Sequence, residues 1–522
     1  MLTGEAVRWA KVIDHTRCIG CHACTTACKS ENEVPLGVTR TYVKYADVGV
    51  FPNARRAFQV TRCNQCEDAP CTTACPTRAM FRRADGIVDF DKSICIGCKA
   101  CMAACPYDAI FINPEDHSAE KCNFCAHRID GGLEPACVVV CPTQAILVGD
   151  LNDPASEVAR VVGREPVTVR RPEKETHPKL FYRGAHEATL DPLAAARPDG
   201  GLFMWSEQPG GSHQARAAKS GAANSSAAAV LAYDVAHRAP WDWRVSLYTL
   251  TKGISAGVYL AALLLALIAG TGFESGLWLR TVPATALVAL AVTGGLLIWD
   301  LEHPKRFFLI FTRPHWKSWL VRGAFVIAAY SMALVAHAAA GLGGGGSGAA
   351  ATRGIAWIGA PLAAMTAIYT AYLFAQSKAR DLWQNPLLPA HFLVQSVFAG
   401  GAVLLLLDAG LPALAASGTA GLAGVATLVA LTGAAHLLLV LGELTLTHAT
   451  AHARLAAHHM LAGRFAAWFW LGVAGVAGAA GLAAFAPPGL AGAGPITGAL
   501  ALAGLFAHEH AHVQAAQSVP LA

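Results

Sequence analysis

The stretch Cys95-Ile96-Gly97-Cys98-Lys99-Ala100-Cys101-Met102-Ala103-Ala104-Cys105-Pro106 decides the fold of the first third of this chain. Its four cysteines follow the spacing C-x2-C-x2-C-x3-C. All sixteen cysteines of the 522-residue chain lie between residues 18 and 141, and they divide into four similar quartets with none left over. The quartets are Cys18, Cys21, Cys24 and Cys28; Cys63, Cys66, Cys71 and Cys75; Cys95, Cys98, Cys101 and Cys105; and Cys122, Cys125, Cys137 and Cys141.

This spacing is typical of iron–sulfur proteins, in which three closely spaced thiolates hold one cluster and the fourth ligates another. Four quartets therefore predict four [4Fe–4S] clusters. Structural zinc sites usually use C-x2-C pairs without a third cysteine and a following proline, and disulfide frameworks suit small secreted domains, so both alternatives are disfavoured. Gly97 is predicted to allow a tight backbone turn around the cluster. Pro106 suits the first position of a helix, which predicts a helix beginning after Cys105.

The cysteine-rich region contains an internal repeat. The segment from Asp14 to Cys21 resembles the segment from Asp91 to Cys98, as if a two-cluster unit had been duplicated. Short apolar runs at 86–90 and 145–148 predict strands beside the clusters. Through residue 190 there are 23 basic and 23 acidic residues, so no nucleic-acid surface is expected. We predict an α+β ferredoxin-like [4Fe–4S] domain over residues 1–190 that relays electrons and has no catalytic residues.

The rest of the chain has a different composition. Residues 191–240 are rich in Ala, Gly and Ser and are predicted to form a flexible linker. Residues 241–522 contain long apolar stretches, each near the roughly 20 residues needed to cross a bilayer, and their small residues suit close helix packing in lipid. We predict an all-α bundle of eight transmembrane helices, over residues 245–270, 281–299, 319–342, 355–376, 390–408, 418–444, 464–486 and 493–512.

The basic residues predict an orientation for this multi-pass protein. Eleven Lys and Arg fall in the loops on the side of the N-terminal domain, and two, Arg280 and Arg353, fall on the opposite side. The positive-inside rule therefore predicts that the cysteine-rich domain lies on the cytoplasmic side of a bacterial inner membrane. The sequence shows no export signal, which agrees with this prediction. The alternative is a periplasmic location, reached with a partner that carries its own signal.

Residues 9–185 resemble the four-cluster electron-transfer subunit of molybdopterin oxidoreductases, the group that includes dimethyl sulfoxide and polysulfide reductases. The resemblance implies a separate large molybdopterin subunit as partner, and it implies that quartets one and four share one cluster pair while quartets two and three share the other. The implied ligand sets are Cys18, Cys21, Cys24 with Cys141; Cys122, Cys125, Cys137 with Cys28; Cys63, Cys66, Cys71 with Cys105; and Cys95, Cys98, Cys101 with Cys75.

Two loop segments of the second half, 300–323 and 382–392, resemble the eight-helix membrane subunit of polysulfide reductase and its relatives. That resemblance implies a membrane anchor with a site for a quinone or quinol, either menaquinone or ubiquinone. The chain is therefore similar to a fusion of the two subunits. The substrate of the partner subunit and the direction of electron flow do not follow from this sequence, and sulfite or another sulfur compound is one hypothesis for the substrate.

A quinone site needs an apolar slot, hydrogen-bond partners for two carbonyls and a route for protons. Ionisable residues in membrane helices are costly, so they are the first candidates. The predicted site residues, all near the ends of helices on the side of the cysteine-rich domain, are Tyr248, Lys252, Asp300, His303, Arg306, His391, Gln395 and Glu443. Structural roles compete with this prediction for each single residue. Four tryptophans are predicted to form an interfacial belt: Trp299, Trp316, Trp319 and Trp383.

Other functions remain open at this stage. Histidines inside helices, such as His337 and His436, permit a haem-binding anchor, and the group His508, Glu509, His510 and His512 permits adventitious metal binding. The membrane half could drive protons across the bilayer, or it could be a passive tether for the iron–sulfur relay. Proton release measured in liposomes would distinguish the proton transporter from an electron-transfer protein. Quinone binding to the purified protein would distinguish an electron-transfer protein from the passive tether.

Overall fold

The computed structural model describes residues 7–197, 228–268, 272–408, 418–486 and 493–522. The chain folds into two compact units. The first contains Met1–Pro240 together with Pro520–Ala522, and the second contains Trp241–Val519.

Short strands in the described part of the first unit form four small sheets. The strands are β1 Trp9–Asp14, β2 Thr41–Val48, β3 Arg55–Arg62, β4 Met80–Arg82, β5 Val88–Phe90, β6 Ile110–Ile112, β7 Ala119–Lys121, β8 Ile146–Asp150, β9 Val167–Thr168, β10 Leu180–Arg183 and β11 Ala229–Tyr233. The largest sheet has the order β8-β1-β10-β9, in which β1 is parallel to β10 and antiparallel to β8. A second sheet has the order β11-β2-β3, and the hairpins β4–β5 and β6–β7 form the other two.

The helices of this unit are short and lie beside the cysteines. They are α1 Ala23–Glu31, α2 Pro70–Ala74, α3 Ala100–Ala104, α4 Ala126–Asp130, α5 Ala136–Val139, α6 Glu157–Arg164 and α7 Glu187–Leu190, with 3-10 turns Lys92–Ile94 and Pro172–Lys174. The predicted helix after Cys105 is wrong, because α3 ends at Ala104 and Cys105 is its C-cap. Cys105 has extended backbone angles, as expected for a residue that precedes a proline.

The first unit extends beyond the boundary predicted at residue 190. Within the predicted linker 191–240, strand β11 pairs antiparallel with β2, so its backbone hydrogen-bonding groups are satisfied by the sheet. Residues 198–227, the middle of the predicted linker, lie outside the described residues.

The second unit is helical. Its helices are α8 Trp243–Ile268, α9 Val282–Trp299, α10 Leu309–Thr312, α11 Trp319–Leu342, α12 Gly345–Gln376, α13 Leu388–Asp408, α14 Gly418–Thr445, α15 Ala451–Leu461, α16 Ala466–Phe485 and α17 Ala493–Gln517. A π-helical turn, Leu277–Thr281, leads into α9, and 3-10 turns lie at Pro304–Arg306 and Asp381–Trp383.

Among the described residues, seven of these helices are long and apolar enough to span a membrane, so this is a multi-pass membrane protein. They are α8, α9 with its π-helical turn, α11, α12, α13, α14 and α16. The predicted count of eight is not confirmed. The eighth predicted stretch, 493–512, does form helix α17, but His508, Glu509, His510 and His512 make its C-terminal part polar.

Glycine lets α8 and α13 approach closely. A Cβ on Gly257 would lie 1.7 Å from the carbonyl oxygen of Ser396, and a Cβ on Gly400 would lie 2.0 Å from the carbonyl carbon of Gly257. The two backbones therefore touch, as small residues permit in membrane helices. Gly257 follows Lys252 by five residues and Gly400 follows Gln395 by five, so the contact lies just beyond these predicted polar residues on both helices.

The tryptophans divide into exposed and buried groups. Trp299 and Trp316 are more than half exposed, as expected for an interfacial belt. Trp383 does not belong to the belt, because it is fully buried and stacks on Phe374, with ring centroids 4.4 Å apart. It packs inside the helical unit.

Candidate functional site

Four separate cavities in the described part of the first unit are each lined by four cysteines. The lining cysteines are Cys75, Cys95, Cys98 and Cys101 in the first cavity; Cys63, Cys66, Cys71 and Cys105 in the second; Cys18, Cys21, Cys24 and Cys141 in the third; and Cys28, Cys122, Cys125 and Cys137 in the fourth. Each set joins three cysteines of one quartet to one of another, as the resemblance implied. No disulfide joins any of these cysteines, all of which lie in described ranges.

The loops around the cavities use left-handed backbone conformations. Gly97 has φ 68° and the equivalent Gly20 has φ 69°, so the tight turn predicted at Gly97 is confirmed. Phe58 packs against Gly20, where a Cβ would meet its ring at 2.3 Å. His22 and Lys99 follow at equivalent positions, each with φ 60°, and each precedes a helix that carries the third cysteine of its quartet. The repeat seen in the sequence is therefore a repeat of backbone geometry.

Backbone N–H groups point at several of the sulfur atoms. Met80 donates to Cys75 Sγ (3.3 Å), Ala119 to Cys95 Sγ (3.5 Å) and Ala145 to Cys141 Sγ (3.2 Å). Such donors favour the thiolate and stabilise the negative charge of a ligated cluster.

A buried arginine supplies the strongest evidence that the cavities suit an anionic group. Arg62 is 1% exposed and donates from Nη1 to Cys137 Sγ at 3.0 Å. Its Nε and Nη2 atoms have no hydrogen-bond partner among the described residues. A buried guanidinium without a carboxylate needs another source of negative charge. Iron–sulfur clusters held by thiolates fit this requirement.

Burial and nearby positive charges change the pKa values of the cysteine thiols. Burial raises the pKa of Cys105 to about 11 and that of Cys66 to about 12. Burial also opposes ionisation of Cys137, but the charges of Lys11 and Arg62 outweigh it and lower its pKa. Iron binding must therefore displace protons from most of these thiols, so cluster insertion and folding are coupled.

In the second unit, Lys252 is the most deeply buried of the predicted quinone residues. It is 1% exposed, and its Nζ donates to the carbonyl oxygen of Ala367 (2.9 Å) and to Thr370 Oγ1 (2.7 Å). The rings of Tyr369 and Phe392 lie with their centroids 4.9 Å from Nζ. Lys252 therefore does not extend to the membrane surface. That structural role was the alternative to a role in the quinone site.

A carboxylate completes this polar group. Gln395 Nε2 donates to Glu509 Oε1, and Thr249 Oγ1 donates to Glu509 Oε2 at 3.1 Å. Glu509 is 2% exposed and interacts electrostatically with Lys252. Tyr248, 3% exposed, also lies within electrostatic reach of Glu509. Lys252 and Glu509 are therefore two interacting ionisable groups inside the bundle, where such groups are costly and are candidates for a functional site.

A second buried polar group is joined to the first through α13 and α17. His391 Nδ1 lies 2.9 Å from Glu443 Oε1, and His391 Nε2 lies 2.9 Å from His436 Nδ1. His508 completes the group, with its ring centroid 5.1 Å from that of His436. Gln395 follows His391 by one turn of α13, and Glu509 follows His508 directly.

The structure does not place all eight predicted residues in one hydrogen-bonded group. Asp300 lies 3.6 Å from Arg244 and is within electrostatic reach of Tyr248. His303 and Arg306, both partly exposed, lie at the 3-10 turn after α9. Thr249 and Thr370 were not predicted, and His436, His508 and Glu509 were named from the sequence only as possible haem or metal ligands. The spacing of His436 and Glu443, seven residues apart on one helix face, is a signal that would have identified His436.

Comparison with protein families agrees with the two units. The family described as "4Fe-4S dicluster domain" matches residues 55–151. The family described as "Polysulphide reductase, NrfD" matches residues 233–520, more than half of the chain.

Curated relatives match about a third of the chain. The B component of tetrathionate reductase from Salmonella typhimurium is 43% identical over 209 residues, 38% of this chain and 80% of that protein. The B component of polysulfide reductase from Wolinella succinogenes is 41% identical over 179 residues, 34% of this chain and 94% of that protein. The thiosulfate reductase electron transfer subunit of Salmonella typhi is 47% identical over 173 residues, 33% of this chain and 88% of that protein. The first unit therefore binds iron–sulfur clusters, and the protein belongs to the polysulphide reductase NrfD family, with an N-terminal iron–sulfur unit similar to the B component of polysulfide reductase.

Proposed function

We propose that this chain transfers electrons between a separate molybdopterin-containing catalytic subunit and a quinone in the membrane. The four cysteine-lined cavities carry this proposal, since each offers the ligand set of one [4Fe–4S] cluster. The relatives of the first unit are named as subunits of tetrathionate, polysulfide and thiosulfate reductases. A catalytic subunit is part of the proposal because these relatives are named as single subunits of such reductases.

The cysteines of each cavity would hold a cluster that changes its charge by one electron at a time. Arg62, Lys11 and the backbone N–H donors would stabilise the reduced, more negative state of the nearby clusters. Tight burial of most of the cysteines keeps water from the sulfur ligands. The protein's own contribution is thus to fix four centres in one rigid fold.

The buried group around Lys252 is the proposed quinone site. Lys252 Nζ and Gln395 Nε2 are hydrogen-bond donors for quinone carbonyls, and Glu509 accepts or supplies a proton close to them. The rings of Tyr369 and Phe392 provide apolar surface. The ligand is menaquinone or ubiquinone, whose reactive rings share this chemistry.

We further propose eight membrane crossings, with α17 as the eighth. Trp241 and Gln517 stand near the two ends of the helical unit, and they hydrogen-bond to each other through Trp241 N to Gln517 Oε1 (2.9 Å) and Gln517 Nε2 to Trp241 O (3.0 Å). Chain ends on the same side of a membrane require an even number of crossings. The distribution of basic residues favours the cytoplasmic side of a bacterial inner membrane for these ends.

The test uses the full-length protein, purified anaerobically with its clusters. A short-chain quinol is mixed with it, and cluster reduction is followed by absorbance and by EPR. We expect Lys252→Met to slow this reduction at least tenfold and to weaken quinone binding, with iron content unchanged. Lys305→Met, which removes an exposed lysine, is the matched control and should behave as the wild type.

Equal rates in the wild type and Lys252→Met would exclude this site. Absence of any quinone binding by the wild type would instead favour the passive tether. Iron analysis separates both results from failure of the cluster assignment, since four [4Fe–4S] clusters require about sixteen iron atoms per chain.

A further inference from the structure

Three histidines from three helices meet inside the helical unit. His391 of α13, His436 of α14 and His508 of α17 are 2%, 1% and 3% exposed. One ring nitrogen from each lies within 4.8 Å of the other two. We propose that these three histidines bind a divalent transition-metal ion of the Zn²⁺ type, in a site separate from the iron–sulfur clusters.

The separations suit a metal with a small adjustment of the side chains. Zn–N bonds of about 2.0–2.1 Å in a tetrahedral site place ligand nitrogens about 3.3 Å apart. His391 Nε2 and His436 Nδ1 are 2.9 Å apart, slightly closer than this. The widest separation in the triad, within 4.8 Å, must close by about 1.5 Å at most. The fourth position is left for water or another ligand, as in catalytic rather than structural zinc sites.

The hydrogen bonds around the triad prepare it for metal. Glu443 accepts from His391 Nδ1, which leaves the lone pair on His391 Nε2 facing the other two rings. A carboxylate that accepts from the far nitrogen of the ring is the usual support of a histidine-bound metal. The carboxylate, 8% exposed, also offsets part of the charge of an ion in a low-dielectric region.

His508 supplies a second indication that the triad binds a ligand. Its Nδ1 is buried and has no hydrogen-bond partner in the described part of the chain. His512, one turn later and 5% exposed, has an unpaired Nε2 within the same described residues. Buried polar atoms without partners are uncommon in folded proteins and point to a bound water or ion.

Haem and the alkaline-earth cations fit the triad less well. A haem between these histidines is incompatible with the 2.9 Å contact of His391 and His436, since no porphyrin fits in that space. Imidazole donors with no thiolate suit Zn²⁺, Cu²⁺ or Fe²⁺ rather than Mg²⁺ or Ca²⁺. Binding requires His436 to carry its proton on Nε2 instead of Nδ1, so a change of tautomer is sufficient and no net proton is released.

This inference does not rest on quinone chemistry. It assigns His391 and Glu443, both predicted from the sequence as quinone residues, to the metal. The proposed quinone contacts remain Lys252, Gln395 and Glu509, with the rings of Tyr369 and Phe392. The two proposals can therefore succeed or fail separately.

The experiment is metal analysis and X-ray absorption on the full-length protein with its clusters intact. The purified protein is loaded with Zn²⁺, desalted, and analysed for iron and zinc by mass spectrometry. We expect one zinc per chain in the wild type. The extended X-ray absorption fine structure of zinc should show three nitrogen neighbours at about 2.0–2.1 Å and no sulfur at about 2.3 Å.

Variants test the named ligands. His436→Ala and His508→Ala should lose the zinc, and Glu443→Gln should weaken its affinity about 10–100-fold while preserving the shape of the side chain. His510→Ala is the matched control, because His510 lies on the same helix against Trp468 and outside the triad. If the alanine variants fail to fold, Glu443→Gln and the absorption spectrum of the wild type still decide.

Three results would overturn the proposal. One is the absence of retained zinc in the loaded wild type. Another is a sulfur neighbour at about 2.3 Å, which would place the zinc at cysteines. The third is retention of zinc by His436→Ala and His508→Ala at the level found for His510→Ala.

Discussion

Replacement of Arg62 should change the reduction potentials of two clusters and leave the other two unaffected. Arg62 is buried and lies within electrostatic reach of Cys24, Cys28, Cys122 and Cys137. These cysteines line two of the four cavities. Arg62→Leu removes one positive charge beside both clusters, so the addition of an electron becomes less favourable there.

The size of the effect follows from the geometry. The guanidinium lies 3.0 Å from Cys137 Sγ, and unit charges about 4 Å apart interact by about 4 kcal/mol at an effective dielectric constant near 20. For a one-electron couple this corresponds to about 170 mV. The added electron is spread over atoms farther away than Sγ, so we expect both potentials to fall by an amount on the order of 100 mV.

The assay is an EPR-monitored redox titration of the full-length protein. Arg62→Lys retains the charge and should recover much of the loss. Arg56→Leu is the control on the same strand, because Arg56 is half exposed and pairs with Asp47 at the surface. Unchanged potentials in Arg62→Leu, with iron content intact, would refute the reasoning, and so would an equal shift of all four clusters.

Two further predictions concern stability. Although burial opposes its charge, hydrogen bonds to Asp108 and Asp234 raise the pKa of His237 from 6.5 to about 9. The stability this provides, at most about 3 kcal/mol, is fully present below pH 6.5 and is lost as pH rises through 9. The melting temperature of His237→Gln should therefore depend less on pH between 6.5 and 9 than that of the wild type, and identical slopes would contradict this. Gly257→Ala should destabilise the helical unit by about 1–3 kcal/mol, because its Cβ would collide with the backbone of the facing helix. Gly294→Ala, where nothing lies within 4 Å of the new Cβ, should be neutral or stabilising. Equal melting temperatures of the two variants in detergent would contradict the proposed close packing at Gly257.

The predictions that the structure confirmed rest on local patterns of residues. The turn at Gly97 depends on a few neighbouring residues and was predicted correctly, as were the apolar runs of seven membrane helices. The helix after Cys105 was predicted wrongly. A proline is favourable at the first position of a helix, but it also gives the preceding residue an extended backbone and so often follows the end of one. Here Pro106 follows the end of α3. Strand β11 was missed because its five residues become a strand only by pairing with distant β2.

The sequence alone determined the class of each half of the molecule. Cysteine spacing specifies cluster ligands because a cubane is held by residues a few positions apart, and twenty apolar residues specify a membrane helix because the lipid leaves the backbone no other partner. The tertiary structure decided which distant groups meet. The burial of Arg62 beside thiols, the partnership of Glu509 with Gln395, and the meeting of His391, His436 and His508 each join residues far apart in the chain. Such contacts follow from how helices and strands pack, and no local period in the sequence records them.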